Sequence, residues 1–204
     1  MRLDFAPDTT GIGRFYRLLT AVVVPRPIAW VSTVSAEGVD NLAPHSFFTV
    51  ACVTPPIVQF TSVGRKDTLT NVEATGEFVV NLANQDNFAQ VNATGTDFPP
   101  TTSEFDAVGL AREPSSKVKP FRVASSPAAL ECVLHSTVRL GDSTVVFGRV
   151  VHAAVAEEMF TDDLPGIELL RPLARLGRDE WGTVGEVLET TRIRHQDWPG
   201  HYRG

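Results

Sequence analysis

The stretch that decides the fold runs Ala128-Ala129-Leu130-Glu131-Cys132-Val133-Leu134-His135-Ser136-Thr137-Val138-Arg139-Leu140. Its apolar residues, beginning with Leu130, share one face of an extended chain, whereas Glu131 and most of the other polar residues share the opposite face. This period of two predicts a half-buried β-strand. Gly141-Asp142-Ser143 then turns the chain into a second strand over Thr144–Val155, so that the two strands form a long hairpin.

Shorter β-rich runs precede this hairpin. They are rich in β-branched and aromatic residues and lie at Ile28–Ser35, Ser46–Val53, Ile57–Ser62 and Phe78–Leu82. Thr54-Pro55-Pro56 separates the second run from the third, because neither a helix nor a central strand tolerates these prolines. The chain is therefore predicted to be dominated by strands.

Helical signals are few. The predicted helices cover Gly11–Thr20, Thr68–Thr75 and a segment from Asn84 or Asp86 to about Asn92. Asp67 is positioned to cap the second of them and Gly76 to stop it. Strands joined directly by turns, with helices only as insertions, favour an antiparallel barrel over a βαβ sheet.

Residues Thr96–Ser126 are rich in proline and show little periodicity. We expect this segment to be a long excursion that covers a ligand or a partner. Nothing in the sequence marks a linker, so the predicted organisation is a single domain over residues 1–204.

Composition excludes several classes of protein. The 204 residues are 43% hydrophobic and 21% charged, which is typical of one globular core and not of a disordered chain. The net charge of −6 argues against a nucleic-acid binder. No apolar run is long enough to span a membrane, and the acidic N-terminus is unlike a signal peptide, so a cytoplasmic location is expected.

Common catalytic and metal-binding motifs are absent from the sequence. Cys52 and Cys132 stand far apart in apolar runs and are predicted to be buried thiols, and no clustered His/Cys set predicts a metal site. Gly11-Ile12-Gly13 lacks the third glycine and the preceding strand of a dinucleotide fingerprint. Neither a P-loop nor a GxSxG nucleophile motif occurs.

Two segments carry more information. Ser62-Val63-Gly64-Arg65-Lys66-Asp67-Thr68 follows a strand, supplies two cations and opens a helix, which are the ingredients of an anion site; the alternative is a solvated loop. The second segment is Asn41-Leu42-Ala43-Pro44-His45-Ser46-Phe47-Phe48. It can place polar groups along a flat heteroaromatic ring, and the alternative is that it is an irregular strand edge. A third segment, from Arg171 to Gly182, is basic and aromatic, with a packing arm as its alternative interpretation.

Taken in order, these segments resemble one family. The matching stretches are Pro25–Thr33, Asn41–Phe48, Pro55-Pro56, Arg65–Asn71, Glu77–Leu82 and Arg175–Gly177. They are similar to the flavin reductase-like family with the FMN-binding split barrel, which includes flavoredoxins and the reductase components of two-component flavin monooxygenases. The resemblance covers about residues 14–188. Trp181 stands where the family often has tyrosine, and the 189–204 tail has no match.

The resemblance implies a mainly β protein, a Greek-key split β-barrel with a few short helices. It also implies a homodimer that holds FMN non-covalently at the subunit interface. The residues expected to bind the cofactor are Ser32, Thr33, Asn41, Ala43, Pro44, His45 and Ser46 around the ring and ribityl chain, and Ser62, Arg65, Lys66 and Thr68 around the phosphate. Backbone N–H groups near Ala43 and His45 are expected to stabilise the reduced ring.

The function expected from this resemblance is hydride transfer from NADH or NADPH to flavin, with a flavin-dependent monooxygenase component as one possible partner. The cofactor carries that chemistry, so no catalytic residue is assigned. Two alternatives stay open: a flavin-binding electron carrier without NAD(P)H activity, and an FMN-dependent oxidase of a small substrate.

Overall fold

The computed structural model describes residues 1–198. Its α-helices are short and occur in the order α1 (Pro7–Thr10), α2 (Ile12–Val22), α3 (Asp67–Thr75), α4 (Phe88–Ala93), α5 (Glu104–Ala107) and α6 (Ile167–Leu170). Single 3₁₀ turns lie at Gln85–Asn87, Glu157–Met159 and His195–Asp197. The predicted C-terminal tail, 189–204, lies in part outside the described residues.

Strands supply most of the regular structure. They are β1 (Arg26–Pro27), β2 (Ala29–Val34), β3 (Asp40–His45), β4 (Phe48–Cys52), β5 (Ile57–Val63), β6 (Glu77–Leu82), β7 (Arg112–Glu113), β8 (Arg122–Val123), β9 (Ala128–Leu140), β10 (Ser143–Val155), β11 (Phe160–Thr161), β12 (Leu164–Pro165), β13 (Leu173–Arg175) and β14 (Trp181–Thr183). Seven of them form one antiparallel sheet in the order β3-β2-β6-β9-β10-β5-β4. The predicted mainly β class and the long β9–β10 hairpin are both confirmed.

The large sheet curls until its ends meet. The His45 ring of β3 lies 4.7 Å from the Phe60 ring of β5, although the two strands stand far apart in the sheet order. The enclosed core includes Phe60 and Phe78, which pack edge to face at 5.5 Å. A Cβ at Gly148 would lie 2.1 Å from Cζ of Phe78, so the close approach of β10 to this ring requires glycine. The resulting barrel is the split barrel expected.

The outer face of β9 differs from the expectation. The sequence pattern places Glu131 on the polar face, yet this side chain is fully buried. The excursion over residues 96–126 lies across that face, and the backbone N–H groups of Ser116 and Lys117 donate to the Glu131 carboxylate. Period two identified the correct face, but it could not show that a distant segment covers it.

The start of α3 also needs a correction. Asp67 was expected to cap this helix, but it is the first helical residue, and Lys66 takes the N-cap position without a side-chain cap hydrogen bond. The predicted stop is right, because Gly76 has φ +74° at the C-cap. Leu69 and Val72 are buried against the barrel as their spacing predicts.

A second core region connects the barrel to the C-terminal strands. It contains Trp30, Leu42, Phe105 and Leu173, and the small sheet β1-β13-β14 packs beside it. Cys132 is buried as predicted, and burial raises the pKa of its thiol to about 12, whereas Cys52 is only partly buried. No helix within residues 1–198 is long and apolar enough to cross a membrane. The cytoplasmic location stays a prediction.

Candidate functional site

A cavity of about 410 Å³ opens between β3, the start of α3 and the loop over residues 94–98. Most of the residues predicted to bind a cofactor line it together. They are Asn41, Ala43, Pro44, His45, Ser46, Arg65, Lys66 and Thr68. The ring-edge segment and the anion-site segment, which are separate in the sequence, therefore face one space.

The β3 wall is joined to α3 by a buried hydrogen bond. Asn41 Nδ2 donates to Thr68 Oγ1 at 3.1 Å, and both side chains are buried. Asn41 therefore lies at the α3 end of the cavity. Its position couples the strand that faces the cavity to the helix that begins at its edge.

His45 is the most unusual group in the wall. Its Nε2 is buried without a hydrogen-bond partner among the described residues. The pKa of His45 is lowered to about 4, mainly by burial and also by the nearby charge of Lys66, while a hydrogen bond with the Thr61 backbone acts in the opposite direction. The imidazole is therefore neutral at pH 7. A ligand that placed a polar group at Nε2 would remove the cost of the orphaned nitrogen.

The basic end of the cavity holds two cations, of which only one forms an ion pair among the described residues. Arg65 is exposed and forms an ion pair with Glu73 at 2.8 Å. Lys66 makes no ion pair within residues 1–198. Because no side chain caps α3, the first N–H groups of the helix are free of capping bonds. Lys66 and these N–H groups together form a site suited to an anion.

Glu104 lines the cavity beside β3. Its Oε2 accepts a hydrogen bond from the Leu42 N–H at 2.8 Å, on the free edge of β3. Burial raises the pKa of this carboxyl group, while the hydrogen bond from Leu42 opposes the rise. The excursion over residues 96–126, which contains Glu104, is anchored to β3 a second time by Arg112, which forms an ion pair with Asp40 at 2.7 Å. The excursion therefore fixes β3 where it lines the cavity.

The Leu42 hydrogen bond also corrects the expected role of the backbone. Successive N–H groups of a strand alternate in direction. Since the Leu42 N–H points away from β2 to Glu104, the N–H groups of Ala43 and His45 point toward β2 instead. Pro44 occupies the next outward position and has no N–H. The cavity wall is therefore made by side chains here, and the expected backbone donors face the wrong way.

Three predicted residues lie outside the cavity lining. Ser32 is buried and donates to the Phe121 carbonyl. Thr33 is buried and accepts from Asn71. The Ser62 hydroxyl donates to the Gly64 carbonyl at 2.9 Å and shapes the loop before α3. All three therefore hold the scaffold around the cavity.

Several residues of the wall were not predicted. They come from α2, β5, the first residues of α3 and α5, the β3–β4 connection and the loop after α4, and they are Tyr16, Phe47, Thr61, Val63, Asp67, the five residues 94–98 and Glu104. Phe47, Val63 and Asp67 belong to the two segments that the sequence analysis singles out for an anion and a flat ring. Glu104 and residues 96–98 belong to the proline-rich excursion expected to cover a ligand. No sequence signal points to the others. Among residues 1–198 no group of three or more His, Cys, Asp or Glu side chains is arranged to hold a metal ion.

Comparison with known proteins agrees with this architecture. The model of the family described as the flavin reductase like domain matches residues 21–173. The chain belongs to the flavin reductase-like family. It is thereby a flavin-related oxidoreductase, as the order of its motifs predicted. A relative from Halalkalibacterium halodurans is 38% identical over 198 residues, which is 91% of this chain and 94% of the relative.

Solved structures extend the likeness over nearly the whole chain. Nitrilotriacetate monooxygenase component B from Bacillus cereus is 32% identical with a TM-score of 0.90, and the match covers 93% of this chain and 99% of that one. The 2-nitrobenzoate 2-nitroreductase from Pseudomonas fluorescens is 29% identical with a TM-score of 0.89, covering 97% and 100%. A split-barrel protein from Shewanella frigidimarina, at 20% identity, shares the fold with a TM-score of 0.85, covering 94% and 100%.

Proposed function

We propose that this protein binds FMN in the β3–α3 cavity and acts as an NAD(P)H-dependent flavin oxidoreductase. The observation that carries the proposal is the arrangement of one neutral, orphaned imidazole and one unpaired lysine along the same cavity. A flavin mononucleotide has the matching parts, a flat polar ring and a phosphate joined by a polyhydroxylated chain.

The cavity is suited to FMN in size and in donor set. Its volume of about 410 Å³ lies within the usual range of ligand pockets, about 300–1,000 Å³. Lys66 and the free N–H groups of α3 would hold the phosphate. Asp67 and Glu104 offer carboxylate oxygens that accept from hydroxyl groups, as the ribityl chain would require.

The protein's own residues position the cofactor and exclude water. FMN, when bound, accepts a hydride from the nicotinamide nucleotide and passes electrons to an acceptor. His45 and Ser46 would meet polar edges of the ring, and the Asn41–Thr68 hydrogen bond holds the two walls together. Hydride transfer to the flavin ring requires no acid–base pair from the protein, so no residue of the wall is assigned a catalytic proton transfer.

The relatives bear on the acceptor. A monooxygenase component B is similar to this chain, and this supports an oxygenase partner that consumes reduced flavin. A nitroreductase is similar as well, and this supports a small nitroaromatic acceptor as the other candidate.

The test is the absorption spectrum of the purified, FMN-loaded protein before and after anaerobic addition of NADH or NADPH. We expect bleaching of the flavin band by at least one nucleotide, and continuous NAD(P)H oxidation when free FMN is added. Binding of FMN without bleaching by either nucleotide would identify an electron carrier instead. Failure to bind FMN would refute the proposal.

A homodimer is the second part of the proposal. The edge strand β4 exposes Val50 and, just after it, Val53. A largely apolar cleft of about 460 Å³ lies beside it, between α2 and β4. An edge strand with exposed apolar side chains is usually covered. Light scattering should give a dimer mass, and Val50→Glu should shift it toward the monomer; a monomeric wild-type protein would refute this part.

A further inference from the structure

A second cavity adjoins the first. It has a volume of about 280 Å³ and shares Pro44, Ser46 and Gly95 with the β3–α3 cavity. The wall between them is tight: a Cβ on Gly95 would lie 3.2 Å from the Asn92 carbonyl oxygen and 3.6 Å from Cγ of Pro44. A molecule in the second cavity would therefore lie next to a molecule in the first.

The far side of the second cavity is built from β13 and β14. Arg175 and Trp181 are directly paired in this antiparallel ladder. The Arg175 guanidinium lies over the indole, 4.8 Å from the ring centroid, and also donates to the Arg178 carbonyl at 3.0 Å. Phe88 packs against the indole edge to face at 5.2 Å. Both groups are thus held in place before any ligand arrives.

The charge of Arg175 is not neutralised by the protein. It makes no ion pair within residues 1–198, even though Asp179 lines the same cavity. A fixed guanidinium over an indole can bind a negatively charged group and a flat ring at once. Asp179, at another point of the lining, would accept an N–H or O–H group. A simple packing arm requires none of these polar groups.

We infer that the second cavity binds the reactant that exchanges electrons with the flavin, a flat ring that carries a negatively charged group, through Arg175 and Trp181. The inference rests on the proposed function, because it assigns the first cavity to FMN. Two kinds of molecule have this chemistry: a nicotinamide nucleotide, whose phosphates carry the charge, and an aromatic carboxylate acceptor.

The experiment measures binding by calorimetry to the oxidised, FMN-loaded protein, so that no turnover is involved. NAD⁺ and 2-nitrobenzoate are titrated separately, with nitrobenzene as the probe that lacks the negative charge. Arg175→Gln removes the cation, Trp181→Ala removes the ring, and Trp181→Phe restores a flat ring. Arg149→Gln is the matched control, since Arg149 is an exposed arginine on β10 that lines neither cavity.

We expect Arg175→Gln to weaken binding of at least one charged probe about tenfold or more, while nitrobenzene and FMN bind as in the wild type. Trp181→Ala should weaken the same probe and Trp181→Phe should recover most of its affinity. The probe that responds identifies the source of the ligand. The inference is wrong if both charged probes bind equally to the wild type, Arg175→Gln and Arg149→Gln proteins, or if neither binds.

Failure of the two proposals can be told apart. If the wild-type protein binds no FMN, the proposed function falls, and the same titrations on the flavin-free protein then judge the second cavity alone. If FMN binds normally but Arg175 has no effect on either charged probe, only the second-cavity inference falls. Circular dichroism and urea unfolding of each variant check that the protein as a whole remains folded.

Discussion

Two charged clusters of this protein differ in how completely their own surroundings satisfy them. Glu131 is buried and accepts from the Ser116 and Lys117 backbones and twice from the Arg122 guanidinium. Burial alone would raise the pKa of Glu131, but these hydrogen bonds lower it below its usual range. Lys66, at the cavity edge, has no such partners among the described residues. The saturated cluster maintains the fold, and the unsaturated one is available to a ligand.

The largest effect should come from breaking the saturated cluster. Glu131→Ala removes the buried carboxylate that pairs with Arg122 and leaves the guanidinium only the exposed Glu113 as an ionic partner. Breaking a buried ion pair from one side typically costs about 3–5 kcal/mol. Urea unfolding should show this loss in the free energy of unfolding. Glu113→Ala is the matched control, because Glu113 pairs with the same guanidinium at 3.0 Å but is half exposed. It should cost less than about 1 kcal/mol. Equal losses in the two variants would show that burial of Glu131 is not what matters.

The second effect tests His45 through pH. The folded pKa of about 4 lies below the usual 6.5, so the unfolded chain binds the proton more tightly. Stability should therefore fall as pH drops from about 6.5 toward 4, by a total on the order of 3 kcal/mol from this group. The measurement is urea unfolding of the wild type and His45→Gln proteins at several pH values. Glu104, whose pKa is raised, acts in the opposite direction in both proteins.

Because other carboxyl groups also titrate in this range, only the difference between the two His45 proteins counts. The His45→Gln protein should lose less free energy of unfolding than the wild type as the pH falls from about 6.5 to 4. Identical pH dependence in both would mean that the imidazole takes up its proton in the folded state near its ordinary pKa, and the lowered pKa assigned to His45 would be wrong.

The third effect is on the affinity for FMN and not on the stability of the fold. Lys66→Ala should weaken FMN about ten- to a hundredfold and leave riboflavin, which lacks the phosphate, nearly unchanged. Arg65→Ala is the control beside it, because Arg65 is exposed and already paired with Glu73. It should weaken FMN by no more than about fivefold. Fluorescence titration with both flavins gives the affinities, and equal losses for the two flavins would make Lys66 a structural residue.

The smallest effect concerns Asn41. Asn41→Ala removes the hydrogen bond to Thr68 and should cost about 1 kcal/mol of stability without unfolding the barrel. FMN affinity or midpoint potential should fall as well, since the β3 and α3 walls lose their link. A variant with wild-type affinity, potential and NAD(P)H turnover would show that this part of β3 is only scaffold.

Local patterns in the sequence determined the secondary structure well. The alternation over Ala128–Leu140 predicted β9 with its observed bounds, and Gly76 predicted the end of α3. These succeed because strand alternation and a left-handed C-cap depend on neighbouring residues only. The helix cap at Asp67 failed, since the preceding loop places Lys66 at that position instead.

Tertiary structure alone decided which polar groups line the cavity and which are bonded within the surrounding fold. Ser32 and Ser62 resemble ligand-binding hydroxyls in the sequence, but each hydroxyl donates its hydrogen bond to a backbone carbonyl of the fold. The sequence pattern predicts Glu131 on the surface, but the excursion over residues 96–126 buries it. Glu104 lies in the excursion expected to cover a ligand, but no local pattern predicts that it accepts a hydrogen bond from Leu42 at the free edge of β3. In most of these cases the hydrogen-bond partner is distant in the chain, and a local sequence pattern cannot show which distant residues come into contact.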